Sequence, residues 1–223
     1  MQLVKMNTQQ PCPNTLSWEE LLRLVPNEID RINGPTNSYS LLRLFGQDES
    51  LVRVTLYRDH HAWCPYCQKV WIWLELKKIP YRIRKVTMRC YGKKEGWYLR
   101  KVPTGMLPAL ELDNRLITER DQILLELENA FGPLGNPLGH PRSLFFRKLE
   151  RKLFFAWCSW LCSPELNEER EFKRKELFQE IAKEMEKALL ANNGNWLDKT
   201  HNNEGKSIPG SSDVVFIPYL ERM

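Results

Sequence analysis

A chain of 223 residues with 33 basic and 28 acidic side chains has a formal net charge of +5, too mild to indicate nucleic-acid binding by itself. Its 42% hydrophobic and 11% aromatic residues can build a core, and six cysteines at this length exclude a disulfide scaffold and favour a reducing compartment. No apolar run reaches the roughly 18 residues that span a membrane, and residues 1–13 lack the features of a secretory signal. We therefore expect a soluble protein whose partners include neither nucleic acid nor a membrane.

Residues 1–50 are interpreted as an extension ahead of the first strand. Residues 17–20 form a capping box, which predicts a short helix that Pro26 ends. A turn follows at residues 34–37, and residues 41–45 supply an apolar patch. We expect this extension to pack against the domain behind it, with a partner-binding arm as the alternative.

Residues 51–131 show an ordered alternation of strand and helix patterns. The predicted elements are a strand at 52–56, a helix at about 67–78, a strand at 81–87, a helical turn near 97–101, strands at 106–112 and 116–118, and a helix at 119–131. The short crossover predicts that the first two strands are parallel. This order, βαβ and then ββα, predicts a thioredoxin-like α/β domain.

A Gly- and Pro-rich linker at residues 132–142 separates that domain from a helical remainder. Apolar spacing predicts helices at 144–162 and 165–190, a polar loop at 201–210 and a final helix from about Ser211. We therefore expect an all-α C-terminal domain at residues 143–223. Because the chain stops at Met223 while the last helix is still apolar, this domain is expected to be truncated.

The stretch Cys64-Pro65-Tyr66-Cys67 stands between the first strand and the first helix of the α/β domain. A Cys-x-x-Cys motif at this junction is typical of thiol redox sites. The free N–H groups and the positive end of the helix dipole would stabilise a thiolate, so the pKa of Cys64 should be low. Pro65 fits the first helical turn, where its missing N–H costs nothing.

Two other interpretations of the motif remain open. The pair could be half of a structural zinc site, although the remaining cysteines form no second Cys-x-x-Cys and no spaced histidine pair follows. It could also be two buried, inert thiols. The flanking strand and helix favour the redox site, and no metal is expected.

Four features of the chain occur together: the Cys-Pro-Tyr-Cys motif, Leu107-Pro108 before a strand, Thr118-Glu119 at a helix start and the helical half. In combination they resemble the glutathione transferases over about residues 40–223. The cysteine-type branch (omega, lambda and dehydroascorbate reductase groups) fits best. The extended Cys-Pro-Tyr-Cys-Gln-Lys-Val segment most closely resembles the plant, algal and cyanobacterial iota-like members.

The resemblance implies a set of site residues. Cys64 would be the catalytic nucleophile, and Cys67 either resolves the mixed disulfide or stays a bystander. The implied glutathione-binding residues are Pro65, Tyr66, Lys94, Leu107, Pro108, Glu119 and Arg120.

Three of these implications have a physical reason and an ordinary alternative. A cis Pro108 would turn the backbone of Leu107 toward the thiol, where it pairs with an extended tripeptide; an ordinary trans proline is the alternative. Glu119 would hold the γ-glutamyl amine, or be only a helix-start acid. Lys94 would attract the glycine carboxylate, or belong to a solvated basic face. Arg120 departs from the Ser or Thr usual in the family, so its role is open.

Other residues carry weaker signals. His60 and His61 could tune the thiol but are more typical of surface groups, and Trp71 and Trp73 are expected in the core or at the domain interface. Cys158 and Cys162 are expected to line the core or a pocket. The family begins the corresponding helix with a Ser/Thr-x-x-Asp cap, and Gly210 in the cap position ahead of Asp213 would be weaker by a few tenths of a kcal/mol.

The resulting functional hypothesis is a glutathione-dependent thiol transferase or reductase, with glutathione as cosubstrate. Cysteine chemistry favours thiol transfer, deglutathionylation or dehydroascorbate reduction over conjugation. The second substrate would be a small electrophile, a disulfide or dehydroascorbate, and the family implies a homodimer. The expected location is the cytoplasm, or alternatively the chloroplast stroma. The alternative function is a non-catalytic glutathione-transferase-like binding or assembly module.

Overall fold

The computed structural model describes residues 17–24, 30–163, 166–192, 196–198, 200–201 and 205–223, with the side chains of Leu22, Leu24 and Arg120 outside that description. Residues 1–30 and 31–223 are separate compact units. In the first unit, helix α1 (Trp18–Leu24) begins at the predicted capping box. Ser17 N–H donates to the Glu20 carboxylate at 2.7 Å, and Glu20 N–H donates to Ser17 Oγ at 3.2 Å. The predicted helix end at Pro26 lies outside the described residues.

A five-stranded mixed sheet forms the centre of the second unit, in the order β1-β3-β2-β4-β5. Its strands are β1 (Leu42–Arg43), β2 (Val54–Asp59), β3 (Tyr81–Val86), β4 (Ala109–Leu112) and β5 (Arg115–Ile117). The pair β2–β3 is parallel, as the sequence predicts, and the other pairs are antiparallel. Helices α2 (Pro65–Leu76), α3 (Gly96–Lys101) and α4 (Arg120–Phe131) complete the thioredoxin-like half.

The sheet is covered by apolar side chains with the expected periodicities. In β3, Tyr81 and Ile83 are buried while Arg82 and Arg84 are exposed, which is the alternation of a half-covered strand. The core of this half combines the fully buried residues Val54, Leu56, Val70, Trp73, Leu74, Leu110, Ile123 and Leu127. This packing fixes the carboxyl end of β2 and the start of α2 relative to each other.

Strand β1 lies within the segment interpreted as an extension ahead of the first strand, so that interpretation is wrong at residues 42–43. Arg43 is 1% exposed, and its guanidinium donates to the Glu75 carboxylate at 2.8 and 3.0 Å. Two residues, one of them a buried arginine, are too few to show the periodicity of a strand. The other divisions of the chain, at residues 131 and 142, stay predictions.

The helical half contains α5 (Pro141–Trp157), a π-helical turn at Cys158–Cys162, α6 (Glu168–Leu190) and α7 (Ser211–Leu220). Its core consists of Phe146, Leu149, Leu153, Ala156, Ile181, Met185, Leu197 and Phe216. The predicted polar loop at 201–210 instead contributes to a two-stranded sheet of β6 (Thr200–His201) and β7 (Ser207–Ile208). Among the described residues, no helix combines the length and apolar character that crossing a membrane needs.

Helix α7 is capped by Gly210, as expected, but the cap is supported from another segment. The Asp213 carboxylate accepts the N–H groups of Leu197 at 2.7 Å, Asp198 at 3.0 Å and Gly210 at 3.1 Å. A Cβ on Gly210 would overlap the Asp198 carbonyl oxygen. The expectation that glycine only weakens this cap is therefore incomplete, because the close backbone approach needs glycine.

The helical half contacts α2 and the residue before Cys64 at several points. Lys69 on α2 pairs with Glu150 on α5 at 3.5 Å, and its ammonium lies 4.4 Å from the ring centre of Tyr219 on α7. Beyond α7, Arg222 donates to the Trp63 carbonyl at 2.7 Å and to Gln68 Oε1 at 2.9 Å. These contacts hold the segment that carries Cys64 against the helical half.

Candidate thiol site

Cys64 is the N-cap residue of α2, in the extended conformation that precedes a helix (φ −69°, ψ 112°). Its sulfur accepts the N–H of Cys67 at 3.4 Å, and its carbonyl accepts the N–H of Gln68 at 3.0 Å. Pro65 occupies the first helical position, as the sequence predicts. The thiol thus stands where free backbone donors converge, with 7% of the residue exposed.

The two thiols of the motif have opposite pKa shifts. The pKa of Cys64 falls from 9.0 to about 7, first because of a hydrogen bond from the Cys67 thiol, while burial and the charge of Asp59 oppose the fall. Burial, and then the neighbouring Cys64, raises the pKa of Cys67 well above 9.0. Near neutral pH the thiolate therefore belongs on Cys64, which agrees with the sequence-based expectation.

Asp59 is part of the site, and the sequence analysis missed it. It is the last residue of β2 and is 0% exposed. One carboxylate oxygen accepts the N–H of Trp63 at 2.6 Å, and the other has no hydrogen-bond partner among the described residues. The nearest signal in the sequence is its place at the end of an apolar strand, five residues ahead of Cys64.

The carboxylate of Asp59 and the sulfurs of Cys64 and Cys67 lie within 4.8 Å of one another. Within the described part of the chain, this is the one group of three donors that could hold a metal ion. Two thiolates and a carboxylate are a donor set that Zn²⁺ accepts. The expectation of no metal at this motif therefore stays a prediction.

The peptide bond between Leu107 and Pro108 is cis, as the resemblance implies. Leu107 packs against the buried cluster of Tyr57, Val86, Tyr98, Val102 and Ala109. Tyr98 supports this turn, since its hydroxyl donates to the carbonyl of Met106 at 2.5 Å. Tyr57 and Ala109 are paired between β2 and β4, so the proline turn enters the sheet beside the strand that ends at Asp59.

Lys94 precedes α3 and is half-buried. Its ammonium donates to the carbonyl of Thr87 at 2.8 Å. Burial lowers the pKa of Lys94, and the charges of Glu95, Cys67 and Cys64 act in the opposite direction. The positive charge of Lys94 therefore interacts electrostatically with the two thiols. Its contact with a substrate carboxylate stays a prediction.

The remaining predicted binding residues lie at helix starts. Tyr66 is the second residue of α2, and its ring meets that of Tyr219 at 6.1 Å. Glu119 is the N-cap of α4, where within the described residues its side chain makes no capping hydrogen bond. Arg120 is the first residue of α4, and its side chain lies outside the described structure. The glutathione roles of these residues stay predictions.

A cavity of about 330 Å³ includes Trp63, the residue before Cys64, in its lining. The other lining residues are His61, Ala62, Glu221 and Arg222. Trp63 is 66% exposed, and the ring of His61 lies 4.7 Å from that of Tyr91. His60 instead faces the Glu95 carboxylate at 3.4 Å, outside this lining.

Two tryptophans on α2 are placed as expected. Trp73 is fully buried, and Trp71 is half-buried with its indole N–H donating to Thr36 Oγ1 at 3.1 Å. In the helical half, Cys158 is partly buried and Cys162 is exposed, within the π-helical turn. Neither cysteine belongs to the thiol site around Cys64.

Residues 63–130 match the family model for the glutathione S-transferase N-terminal domain, over the cysteine motif, the proline turn and most of α4. This segment is therefore similar to glutathione S-transferase N-terminal domains. The chain is 33% identical over 76 residues to glutathione S-transferase DHAR3, chloroplastic, of Arabidopsis thaliana. That match covers 33% of this chain and 28% of the relative, and the chain spans less than half the length of the first curated relatives it matches.

Solved glutathione transferases share the two-part fold. Glutathione transferase Omega 3C from Trametes versicolor superposes with a TM-score of 0.57 at 22% identity, over 76% of this chain and 72% of that one. A glutathione transferase homologue from Lodderomyces elongisporus, solved with two GSH per subunit, gives a TM-score of 0.53 at 17% identity, over 77% and 84% of the two chains. The chain therefore has a thioredoxin-like half followed by a helical half, as the sequence predicts.

Proposed function

We propose that this protein is a glutathione-dependent thiol transferase or reductase of the cysteine-type branch of the glutathione transferases. One observation carries the proposal. Cys64 is a helix N-cap thiol whose pKa lies at about 7, beside a second thiol with a raised pKa. A cysteine that is about half ionised at neutral pH, with 7% of the residue exposed, is a nucleophile for disulfide exchange.

The proposed chemistry is thiol–disulfide exchange. The Cys64 thiolate attacks the glutathione sulfur of a mixed disulfide, which forms a Cys64–glutathione disulfide and releases the substrate thiolate. A second thiolate then resolves that disulfide. Either glutathione attacks its glutathione sulfur, which releases glutathione disulfide and restores the Cys64 thiolate, or Cys67 attacks the Cys64 sulfur, which releases the glutathione thiolate and leaves an internal disulfide for two further glutathione molecules to reduce. The second substrate would be a mixed disulfide of glutathione with a protein or a small thiol. With dehydroascorbate the Cys64 thiolate would instead add to a carbonyl carbon, and a glutathione thiolate would then attack the Cys64 sulfur, releasing ascorbate and leaving the same Cys64–glutathione disulfide. Conjugation is disfavoured, because Cys64 bonds to glutathione sulfur where a hydroxyl donor would stabilise the free glutathione thiolate.

Glutathione would lie extended from Cys64 along the proline turn. The backbone of Leu107 would pair with its cysteinyl residue, Glu119 and Arg120 would hold the γ-glutamyl end, and Lys94 the glycine carboxylate. The position of Lys94 supports this arrangement, since its charge acts at both thiols. The Lodderomyces structure, solved with two GSH per subunit, supports glutathione as the ligand class.

The decisive test is transfer of glutathione from a glutathionylated peptide, measured for the full chain and for Cys64→Ser. We expect the variant to lose nearly all activity. Cys90→Ser is the matched control, because Cys90 is an exposed thiol outside the site and its removal should leave the rate unchanged. Activity retained by Cys64→Ser would overturn the proposal, as would its absence from the unmodified protein.

Location and assembly are further proposals. Free thiols at Cys64 and Cys67 suit a reducing compartment, so we propose the cytoplasm, with the chloroplast stroma as the alternative. We also propose a homodimer. Imaging of a fluorescent fusion made from the complete gene tests the first, and light scattering of the purified protein tests the second.

A further inference from the structure

Asp59 lies beside the two thiols and has one carboxylate oxygen without a hydrogen-bond donor among the described residues. The residue is fully buried at the end of β2, and Trp63 N–H occupies one of its carboxylate oxygens at 2.6 Å. Among the described residues, the other oxygen has no donor. A buried carboxylate oxygen without a donor costs free energy, so its persistence beside Cys64 and Cys67, within 4.8 Å, needs a reason.

The thiol of Cys67 is buried and protonated. The residue is 1% exposed, and burial raises the pKa of its thiol, so near neutral pH it carries a proton. A thiol must lose that proton to attack a disulfide, and burial keeps water from collecting it. A base within a few ångströms would remove this obstacle.

We propose that Asp59 accepts the proton of Cys67 when Cys67 attacks the Cys64–glutathione disulfide. The inference rests on the proposed function and assigns Cys67 as the resolving thiol. A bond forms between the sulfurs of Cys67 and Cys64, and the bond from Cys64 to glutathione sulfur breaks. Its electron pair leaves on the glutathione thiolate, and the proton goes to the free oxygen of Asp59. The products are an internal disulfide, which glutathione can reduce, and a neutral Asp59.

Several charged groups act on this pair from the surrounding elements. Arg58 on β2 donates to the carbonyl of Asp59 at 2.8 Å, and its guanidinium interacts with the charges of Asp59 and Cys67. Lys94, ahead of α3, interacts with both thiols, and Tyr98 on α3 with Cys67. Arg58 and Lys94 thus place positive charge on both sides of the pair, Arg58 beside Asp59 and Lys94 beside the two thiols.

Replacement of Asp59 separates this role from a purely electrostatic one, because the two roles predict opposite signs. The negative charge of Asp59 raises the pKa of both thiols. If Asp59 were only a nearby charge, Asp59→Asn would lower the pKa of Cys67 and speed resolution. If Asp59 is the proton acceptor, its replacement must slow the attack of Cys67 on the disulfide at Cys64.

The experiment uses the full chain with Cys12, Cys90, Cys158 and Cys162 changed to Ser, so that Cys64 and Cys67 are the remaining thiols. The disulfide that Cys64 attacks is Ellman's reagent, an aromatic disulfide. Release of a first thionitrobenzoate reports attack by Cys64, and release of the second reports resolution by Cys67. In Asp59→Asn we expect the second release to slow by about ten- to a hundredfold at neutral pH, with the first at least as fast as before. Cys67→Ser gives the baseline without resolution. A second release that is unchanged or faster overturns the proposal.

Asparagine retains a carbonyl for the Trp63 N–H, so Asp59→Asn should fold. If the Asp59→Asn variant does not fold, the test is the pH dependence of the second release in the protein that retains Asp59, Cys64 and Cys67. Without an internal acceptor, the rate of the second release should rise about tenfold per pH unit until the pH reaches the raised pKa of Cys67. With Asp59 as the acceptor, this rate should be nearly constant from about pH 7 to 9. A tenfold slope overturns the role of Asp59. Ellman's reagent needs no glutathione site, so a normal two-step release without glutathione activity would instead overturn the proposed function alone.

Discussion

Lys69 on α2 and Glu150 on α5 form an ion pair of 3.5 Å, with side chains only 5% and 3% exposed. The pair joins the thioredoxin-like half to the helical half, behind the helix that presents Cys64. Glu150 is also bonded by Arg151, whose guanidinium lies 5.1 Å from the ring centre of Tyr219. One carboxylate therefore balances two cations at the junction of the two halves.

Glu150→Gln should destabilise the protein by about 3 kcal/mol, because Lys69 would be left buried without its carboxylate. Lys69→Met should cost less, since Arg151 still pairs with Glu150. Urea unfolding measures both. Lys173→Met, which breaks the exposed pair with Glu169 (68% and 75% exposed), is the control and should change stability by less than about 0.5 kcal/mol. Equal losses in Glu150→Gln and the control would contradict this account.

Cys67→Ala should raise the pKa of Cys64. The hydrogen bond from the Cys67 thiol is the largest cause of the lowered value of about 7, and alanine removes it. Alkylation of Cys64 by iodoacetamide, followed by mass spectrometry, should rise with pH through about 7 in the unsubstituted protein. In Cys67→Ala the midpoint should move toward 9, the ordinary value. Cys67→Ser retains a donor and should lie between them, and a midpoint unmoved in Cys67→Ala would show that the backbone donors suffice.

Gly210→Ala should destabilise the helical half by about 1–3 kcal/mol or more, because the added Cβ would overlap the carbonyl oxygen of Asp198. The backbone of Gly210 (φ −91°) is open to any residue, so the loss would come from the close approach alone. Gly139→Ala is the control, since its Cβ would meet nothing within 4 Å. Thermal unfolding compares the two, and a Gly210→Ala protein as stable as the control would show that the segment at Asp198 can move away.

The sequence predicts the thiol site where its geometry is local. The Cys64 cap depends on residues 64–68, on Pro65 at the first helical position and on the strand–helix junction, all visible as patterns. The parallel β2–β3 pair follows from the short crossover between them. Leu107-Pro108 is cis as expected, but that expectation came from resemblance to a family and from no pattern in the residues themselves.

The features that the sequence did not reveal depend on distant segments. Asp59 is buried at the end of β2, where it is paired with Val86 of β3, whereas a charged residue at a strand end is ordinarily a surface group. The two-residue strands β1, β6 and β7 are too short for a periodic signal. The need for glycine at position 210 arises from Asp198, which no local pattern connects to it.

Lys94→Gln should raise the KM for glutathione by about tenfold while changing kcat little, because it would remove the proposed charge-assisted hydrogen bond to the glycine carboxylate. Lys93→Gln is the matched control, an exposed neighbour with the same charge, and should leave KM nearly unchanged. Loss of the Lys94 charge should also raise the pKa of Cys64 slightly, since that charge interacts with the thiol. Steady-state transfer kinetics with a glutathionylated peptide, at a fixed pH above 8, separate the binding effect from the ionisation effect. Equal changes of KM in the two variants would show that glutathione binding depends only on the net charge of this face. The position of Lys94 beside the thiols would then have no part in binding.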